Sequence, residues 1–299
     1  MKVLNFGSLN IDNVYAVDHF VRAGETLSST SLKKHVGGKG LNQTVALARS
    51  GSQVYMAGKI GYDGTHLLEV LKNEGVNVDH IKIADYIDTG HAIIQVDKNG
   101  QNCILLYGGS NLEITREDVD EVLKNFSKGD FILLQNEISN LSYIIKRASE
   151  QGMTIALNPS PIDDDLVNME ELALVDWFIL NEVEGLEISG KKDPEEICSE
   201  ILGRYPDAHV MLTLGSKGAM FRDATRSAEH GIYDVPVVDT TAAGDTFTGY
   251  FLTGVAEGLE INKVLELASK ASSLAVTKAG ASNSIPMRSE VEETDIKLI

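Results

Sequence analysis

Short apolar runs alternate along the chain with longer stretches whose apolar residues recur every three to four positions. Val3–Phe6, Val54–Ala57, Phe131–Leu134, Thr154–Leu157, Trp177–Leu180 and Val210–Leu214 are brief and almost wholly apolar, the pattern of strands buried on both faces. Between them, Gly40–Ser50, Gly64–Glu74, Arg116–Asn125, Asn140–Gln151 and Asp193–Arg204 carry helical periodicity. Strands alternating with helices predict βαβ units and a mostly parallel central sheet with helices on both faces, an α/β fold of three layers.

One stretch departs from this rhythm. His91–Asp97 and Gln101–Tyr107 are extended runs joined by Lys98-Asn99-Gly100, and Asn-Gly is a strong hairpin signal. Val14–Asp18 and Leu27–Val36 are also extended, with no helix between them. Together they predict a small antiparallel sheet set off from the main one, or else an extension of its edge. No linker, repeat or low-complexity segment divides the 299 residues, which are expected to form a single domain. The lid sub-domain would come from about residues 12–36 and 90–108.

Composition narrows the classes. With 43% hydrophobic and 23% charged residues the chain is of globular type, and its net charge of −18 disfavours nucleic acid or an anionic membrane as partner. An anionic small molecule is not excluded, because the field within a pocket can oppose the net charge. Cys103 and Cys198 lie far apart, the N-terminus reads as no signal peptide, and no apolar run reaches membrane-spanning length. A reducing, cytoplasmic compartment is therefore expected.

Candidate chemistry gathers just after the apolar runs, where open α/β sheets bind their ligands. Val3–Phe6 is followed by Asn10 and Asp12, two apart and so on one side of an extended segment. Phe131–Leu134 leads into Gln135-Asn136-Glu137, Trp177–Leu180 into Asn181-Glu182-Val183-Glu184, and Val210–Leu214 into Gly215-Ser216-Lys217-Gly218. Turn and capping roles would explain any one of these clusters; five at one sheet edge suggest a site.

The fifth cluster, Asp239-Thr240-Thr241-Ala242-Ala243-Gly244-Asp245, passes from a strand-like end into a helix beginning near Ala243 or Gly244. Phe247, Phe251, Val255 and Leu259 share one face of that helix. Ala-Ala-Gly leaves the first-turn amides uncovered, an arrangement that holds anions. Asp245 in that turn reads either as a helix-stabilising carboxylate or as a base beside a developing anion, the geometry of phosphoryl transfer to an alcohol. A second cluster, Gly37-Gly38-Lys39-Gly40-Leu41-Asn42-Gln43, opens another helix. It is no Walker A loop, since no Gly-Lys precedes Ser or Thr, and no dinucleotide fingerprint, since Gln43 stands in place of the last glycine. It reads as a hinge between lid and core, with amides and Asn42 available to hydroxyls. The seven histidines form no zinc-binding pair, and no nucleophile elbow is present.

Taken together, the Gly37–Gln43 motif continuing to Gly51 and Gly61, and the Asp239–Asp245 motif, resemble the ribokinase family of sugar kinases (the PfkB group) over essentially the whole chain. That resemblance implies a three-layer αβα fold with a small β lid. It also implies ATP-dependent phosphorylation of a sugar's primary hydroxyl, D-ribose to D-ribose 5-phosphate in the first place. Fructose, deoxyribose or a nucleoside are the alternative acceptors, and a sensor without turnover is the alternative outside catalysis. By resemblance Asn10, Asp12, Gly38, Lys39, Asn42 and Glu137 bind the sugar. Asp245 is the base, and Ala242, Ala243 and Gly244 form the anion hole. Asn181 and Glu184 organise Mg²⁺ and phosphates, Thr213, Gly215, Ser216, Lys217 and Gly218 bind nucleotide, and Ser269 stands where the family places a histidine against adenine. Asp239, Thr241, Ala275, Lys278, Gly280 and Ser284 match a loop set that binds an activating K⁺. The family's lid strands imply a homodimer.

Overall fold

The structure, a computed structural model, describes all 299 residues. A nine-stranded sheet forms the middle layer, in the order β13-β12-β11-β10-β9-β8-β1-β4-β5. Its strands are β1 (Val3–Phe6), β4 (Val54–Gly61), β5 (Asn77–Ala84), β8 (Phe131–Gln135), β9 (Thr154–Asn158), β10 (Trp177–Asn181), β11 (His209–Thr213), β12 (Ala219–Arg222) and β13 (Ser227–His230). All pairings from β5 to β11 are parallel, and β12 and β13 close the far edge antiparallel.

The apolar runs are continuous because both faces of the sheet are covered. Along β1, Val3 packs into one core and Leu4 and Phe6 into the other; along β8, Leu133 faces the first and Ile132 and Leu134 the second. Helices Lys39–Arg49, Thr65–Asn73, Ala243–Ala256 and Ile261–Ala275 fill the first side. Helices Arg116–Leu123, Leu141–Glu150, Glu182–Ser189 and Pro194–Arg204 fill the second. None is long and apolar enough to cross a membrane.

The predicted elements recur with ends shifted by a few residues. The periodicity from Phe247 to Leu259 overruns its helix, which stops at Ala256 before Gly258 in the left-handed region (φ +74°). β5 escaped prediction because its polar residues are only half buried and its pattern is mixed. β12 and β13 are four residues each, too short for a periodic signal.

The four extended runs form a separate sheet, β3-β2-β6-β7, with β2 at Asn10–Ala16, β3 at Ser31–Gly37, β6 at Gly90–Val96 and β7 at Asn102–Tyr107. Its outer pairings are antiparallel and its central β2–β6 pairing is parallel. The reason is topological. β2 continues β1 and β6 continues β5, so both leave the same edge of the parallel sheet in the same sense.

The packing of helix Ala243–Ala256 on helix Lys39–Arg49 positions the chemistry. A Cβ on Gly249 would collide with Ala46 and lie 2.8 Å from the Leu47 amide nitrogen, so only glycine permits this approach. We expect Gly249→Ala to lower the urea midpoint at unchanged m-value, by roughly 1–3 kcal/mol as for other overpacked interiors. It should also lower turnover by forcing the two helices apart.

Candidate active site

The crevice lies beyond the carboxyl ends of the parallel strands, where two helices begin. Helix Ala243–Ala256 starts after Ala242, which adopts a left-handed conformation (φ 60°) and provides no side-chain cap. Such a backbone costs of order 1–3 kcal/mol in a non-glycine residue and is maintained by its surroundings. The Ala243 amide donates to Thr240 O at 3.2 Å, whereas the Gly244 and Asp245 amides meet no backbone carbonyl and remain open to an anion.

Asp245 is half-buried, and both its oxygens accept amide protons. Asn42 Nδ2 donates to Oδ2 at 3.1 Å and Gln43 Nε2 to Oδ1 at 3.0 Å. Asn42 and Gln43 lie near the start of helix Lys39–Arg49, which is pressed onto the β1–β2 turn. The Gly40 amide donates to Ser8 Oγ, and a Cβ on Gly40 would strike the Ser8 and Gly7 backbone. Gly38 just before it has φ +91°. The glycine motif thus exists for close approach and a left-handed turn.

Two clefts meet at Thr213 and Gly244. The smaller, about 170 Å³, is lined by Lys39, Asn158, Asn181, Glu184, Ala242 and Asp245 among others. The larger, about 360 Å³, gathers Gly215, Ser216, Gly218, Ala243 and Ser269 with Tyr233 and Phe247. Ser269 is buried there with an unpartnered hydroxyl. Lys217 stands apart, its ammonium 3.3 Å from Glu182 on the surface.

On the lid side, Asn10 Oδ1 accepts from Asn111 Nδ2 at 2.8 Å. Glu137 Oε2 accepts from Ser8 Oγ and from the Lys39 amide. Burial pushes the Asp12 carboxyl up to about 6, with the nearby Glu137 charge adding to the effect. Glu137 is itself raised, mainly by burial, against the hydrogen bond from Ser8 and the charge and amide of Lys39. Asp12 also lies against Gly37, where a Cβ would overlap its carboxylate.

Asn181 and Glu184 form a reciprocal capping box at the start of helix Glu182–Ser189, a local reason for both residues. Glu184 Oε2 accepts from the Asn181 amide and Asn158, and Oε1 accepts no protein hydrogen bond. One free carboxylate oxygen in a cleft fits Mg²⁺, which is usually held by one or two carboxylates together with substrate phosphates and water. Of the six residues matched to K⁺, the Asp239 carboxylate joins three. It accepts from the Thr241 amide and hydroxyl (2.9 and 2.7 Å) and from the Gly280 amide (2.9 Å). Burial acts to raise Asp239, but these hydrogen bonds outweigh it and hold the group below the usual carboxylate range. The Ser284 hydroxyl turns to Ala281 O, the Ala275 carbonyl accepts the Lys278 amide, and the Lys278 ammonium pairs with Glu290. Hard oxygen donors in a loop tied by one carboxylate suit a monovalent cation.

Sequence reasoning gave no role to Asn5, Ser8, Gln43, Asn111, Gln135 and Asn158. Asn5, Gln43 and Gln135 are fully buried, and they form one hydrogen-bonded set with Asn158 and Asp245. The signal for two of them was present: Gln135 and Asn158 each end a strand on the edge that carries the other site residues.

A carboxyl raised in the folded state stabilises the protein fully below its unfolded pKa and loses that contribution as pH rises through the folded value. For Asp12 the window runs from about 4 to about 6. Urea midpoints across this range should fall with pH more steeply in the parent protein than in Asp12→Asn.

Known proteins resemble the chain along nearly its whole length. The chain is 36% identical over 291 residues to a ribokinase of Bacillus subtilis, covering 96% of this chain and 97% of the relative. It is 33% identical over 296 residues to one of Haemophilus influenzae, covering 96% of each. The fold superposes on ribokinase of Cryptococcus neoformans in complex with ADP (TM-score 0.84, 31% identity, 98% of this chain and 99% of the other). It also superposes on Arabidopsis thaliana ribokinase complexed with ribose and ATP (TM-score 0.85, 29% identity, 97% of each). Residues 1–288 match the profile of the pfkB family carbohydrate kinases, and the chain belongs to that family.

Proposed function

We propose that the protein transfers the γ-phosphoryl group of ATP to the primary hydroxyl of D-ribose, giving D-ribose 5-phosphate and ADP. The observation that carries this reading is the place of Asp245, a carboxylate beside two unpartnered helix amides in a small polar cleft that meets a larger nucleotide-sized one. Relatives named ribokinase across nearly the full length supply the acceptor.

In the reaction the ribose O–H bond breaks and its proton passes to Asp245. The oxygen forms a bond to the γ-phosphorus as the bond to the β,γ-bridging oxygen breaks, and that electron pair leaves with ADP. Asn10, Asp12, Gly38, Lys39, Asn42 and Glu137 hold the sugar hydroxyls beneath the lid, which excludes water from the transfer. The Gly244 and Asp245 amides, with the Ala242–Ala243 backbone, receive the charge that spreads onto the transferred group. Thr213, Gly215, Ser216, Gly218 and Ser269 line the nucleotide cleft. Mg²⁺, held through Asn181 and Glu184, supplies neutralisation of the phosphate charge when bound. K⁺ belongs to the loop clamped by Asp239. A cytoplasmic location fits the two free cysteines, one exposed.

The lid is the basis for a homodimer. β7 is an edge strand with every residue exposed, including Ile104, Leu105, Leu106 and Tyr107. An uncovered apolar edge invites strand pairing, and a second copy of the same sheet supplies it.

An ADP-release assay with MgATP across ribose, 2-deoxyribose, fructose and several nucleosides tests the acceptor. Ribose should be strongly preferred, and the rate in K⁺ buffer should exceed that in Na⁺. Preference for another acceptor would retain the chemistry and overturn ribose. Asp245→Asn should lower kcat 10²–10⁴-fold, the usual contribution of a general base, with the fold intact; a near-parental rate would remove Asp245 from that role. Leu105→Lys should shift the protein from dimer to monomer in light scattering, and a parental molar mass that is already monomeric would refute the dimer.

A further inference from the structure

Asn5 Nδ2 donates to a backbone carbonyl, Gly40 O, at 2.8 Å, which fixes its Oδ1 as an acceptor. Gln135 Nε2 donates to that oxygen and to Gln43 Oε1 at 2.7 Å. Gln43 must then point its Nε2 away, and the two protons go to Asn158 Oδ1 at 2.9 Å and Asp245 Oδ1 at 3.0 Å. At the other end Asn158 Nδ2 donates to Ile179 O at 3.0 Å, again a backbone carbonyl, and reaches Glu184 Oε2 at 3.3 Å. A carbonyl oxygen can only accept, so the polarity of all four amides is set from both ends of the chain of bonds. Asn42, the partner of the other Asp245 oxygen, has no such anchor: its Oδ1 is buried and unpartnered, and its one side-chain hydrogen bond is the one Nδ2 donates to Oδ2.

We infer that Gln43 is a positioning residue that confines the proton-accepting role of Asp245 to Oδ2. Gln43 holds a donor against Oδ1 through the whole cycle, and a proton cannot settle there without breaking the anchored relay. Oδ2 takes the proton from the acceptor hydroxyl, and Asn42 turns its carbonyl to receive the resulting O–H. Through Asn158 the same relay ties the base to Glu184 on the phosphate side, so that both ends of the reacting pair share one rigid support. The charged groups near Asp245 are Lys39 and Glu184, which line its cleft, and Glu137, whose titration its charge affects. None of these is altered by substituting Gln43.

The inference rests on the sugar kinase reading, and the parental protein is its control: no ATP-dependent phosphorylation of any sugar would fail that reading and not this one. Gln43→Met removes the donor at similar volume. Its kcat should fall tenfold or more with KM for sugar and ATP within about threefold, because binding groups are untouched. The acid limb of the kcat/KM profile should move up by about one pH unit, since the ionised carboxylate loses a donor. Gln135→Met, remote from Asp245 and lining neither cleft, should give a smaller change of the same kind, and carries the test alone if Gln43→Met does not fold. The double variant should be no slower than Gln43→Met, because the two act as a unit. A folded Gln43→Met with parental kcat and an unmoved acid limb, or losses that simply multiply, would overturn the proposal. So would a Gln135→Met variant that loses melting temperature without moving the limb.

Discussion

The closeness of two helices governs the rest of the site. Asp245 meets Asn42 and Gln43, and four residues further along each helix Gly249 meets Ala46 and the Leu47 amide. Equal offsets on both helices mean that they run side by side in the same direction, and both present their N-terminal ends to one crevice. Each end carries a partial positive charge and open amides. In the proposed transfer a carboxylate base, an alkoxide forming beside it and a phosphoryl group are all anionic, and this field favours all three. The small residues Gly40, Ala46 and Gly249 therefore set the position of Asp245 against Asn42 and Gln43.

The lid contributes the opposite requirement. β2 and β6 follow β1 and β5 after short connections, so the small sheet carries Asn10 and Asp12 at the edge of the parallel sheet. Asp12 and Glu137 are pushed towards protonation by burial, with the Glu137 charge adding to the effect at Asp12 and the Asp245 charge at Glu137. Hydroxyl donors from a bound sugar would relieve both, because a carboxylate that accepts hydrogen bonds regains what desolvation removed. In the proposed function, sugar hydroxyls that donate to these two carboxylates supply affinity on this side.

Much of this was legible in the sequence because parallel strands buried on both faces are written as unbroken apolar runs, and their ends mark the crevice. Val3–Phe6 and Trp177–Leu180 located β1 and β10 almost to the residue. The two glycine-bearing motifs located both helix starts. What the chain did not reveal was pairing that depends on direction in space. The parallel β2–β6 contact joins residues some eighty positions apart, and neither local pattern carries its sense. The buried amides were hidden for a related reason. Asn5 sits inside an apolar strand and Gln43 inside a helix, and each is polar because of partners brought by distant segments: Gln135 for Asn5, and Gln135, Asn158 and Asp245 for Gln43.

The chain's charge completes the physical picture. A protein of net charge −18 that binds phosphates cannot draw on a general basic surface, and the two clefts show the consequence. Lys39 is the only cationic side chain lining the smaller one, and none lines the larger. Anion recognition therefore falls to backbone amides at Gly244 and Asp245 and to the cations that accompany the nucleotide. Amides are fixed dipoles whose field is short-ranged and needs no reorganisation during transfer. They stabilise charge where it develops and give little attraction to anions elsewhere. An acidic surface with an amide-lined crevice thus favours selectivity for the bound, metal-complexed nucleotide over general affinity for polyanions.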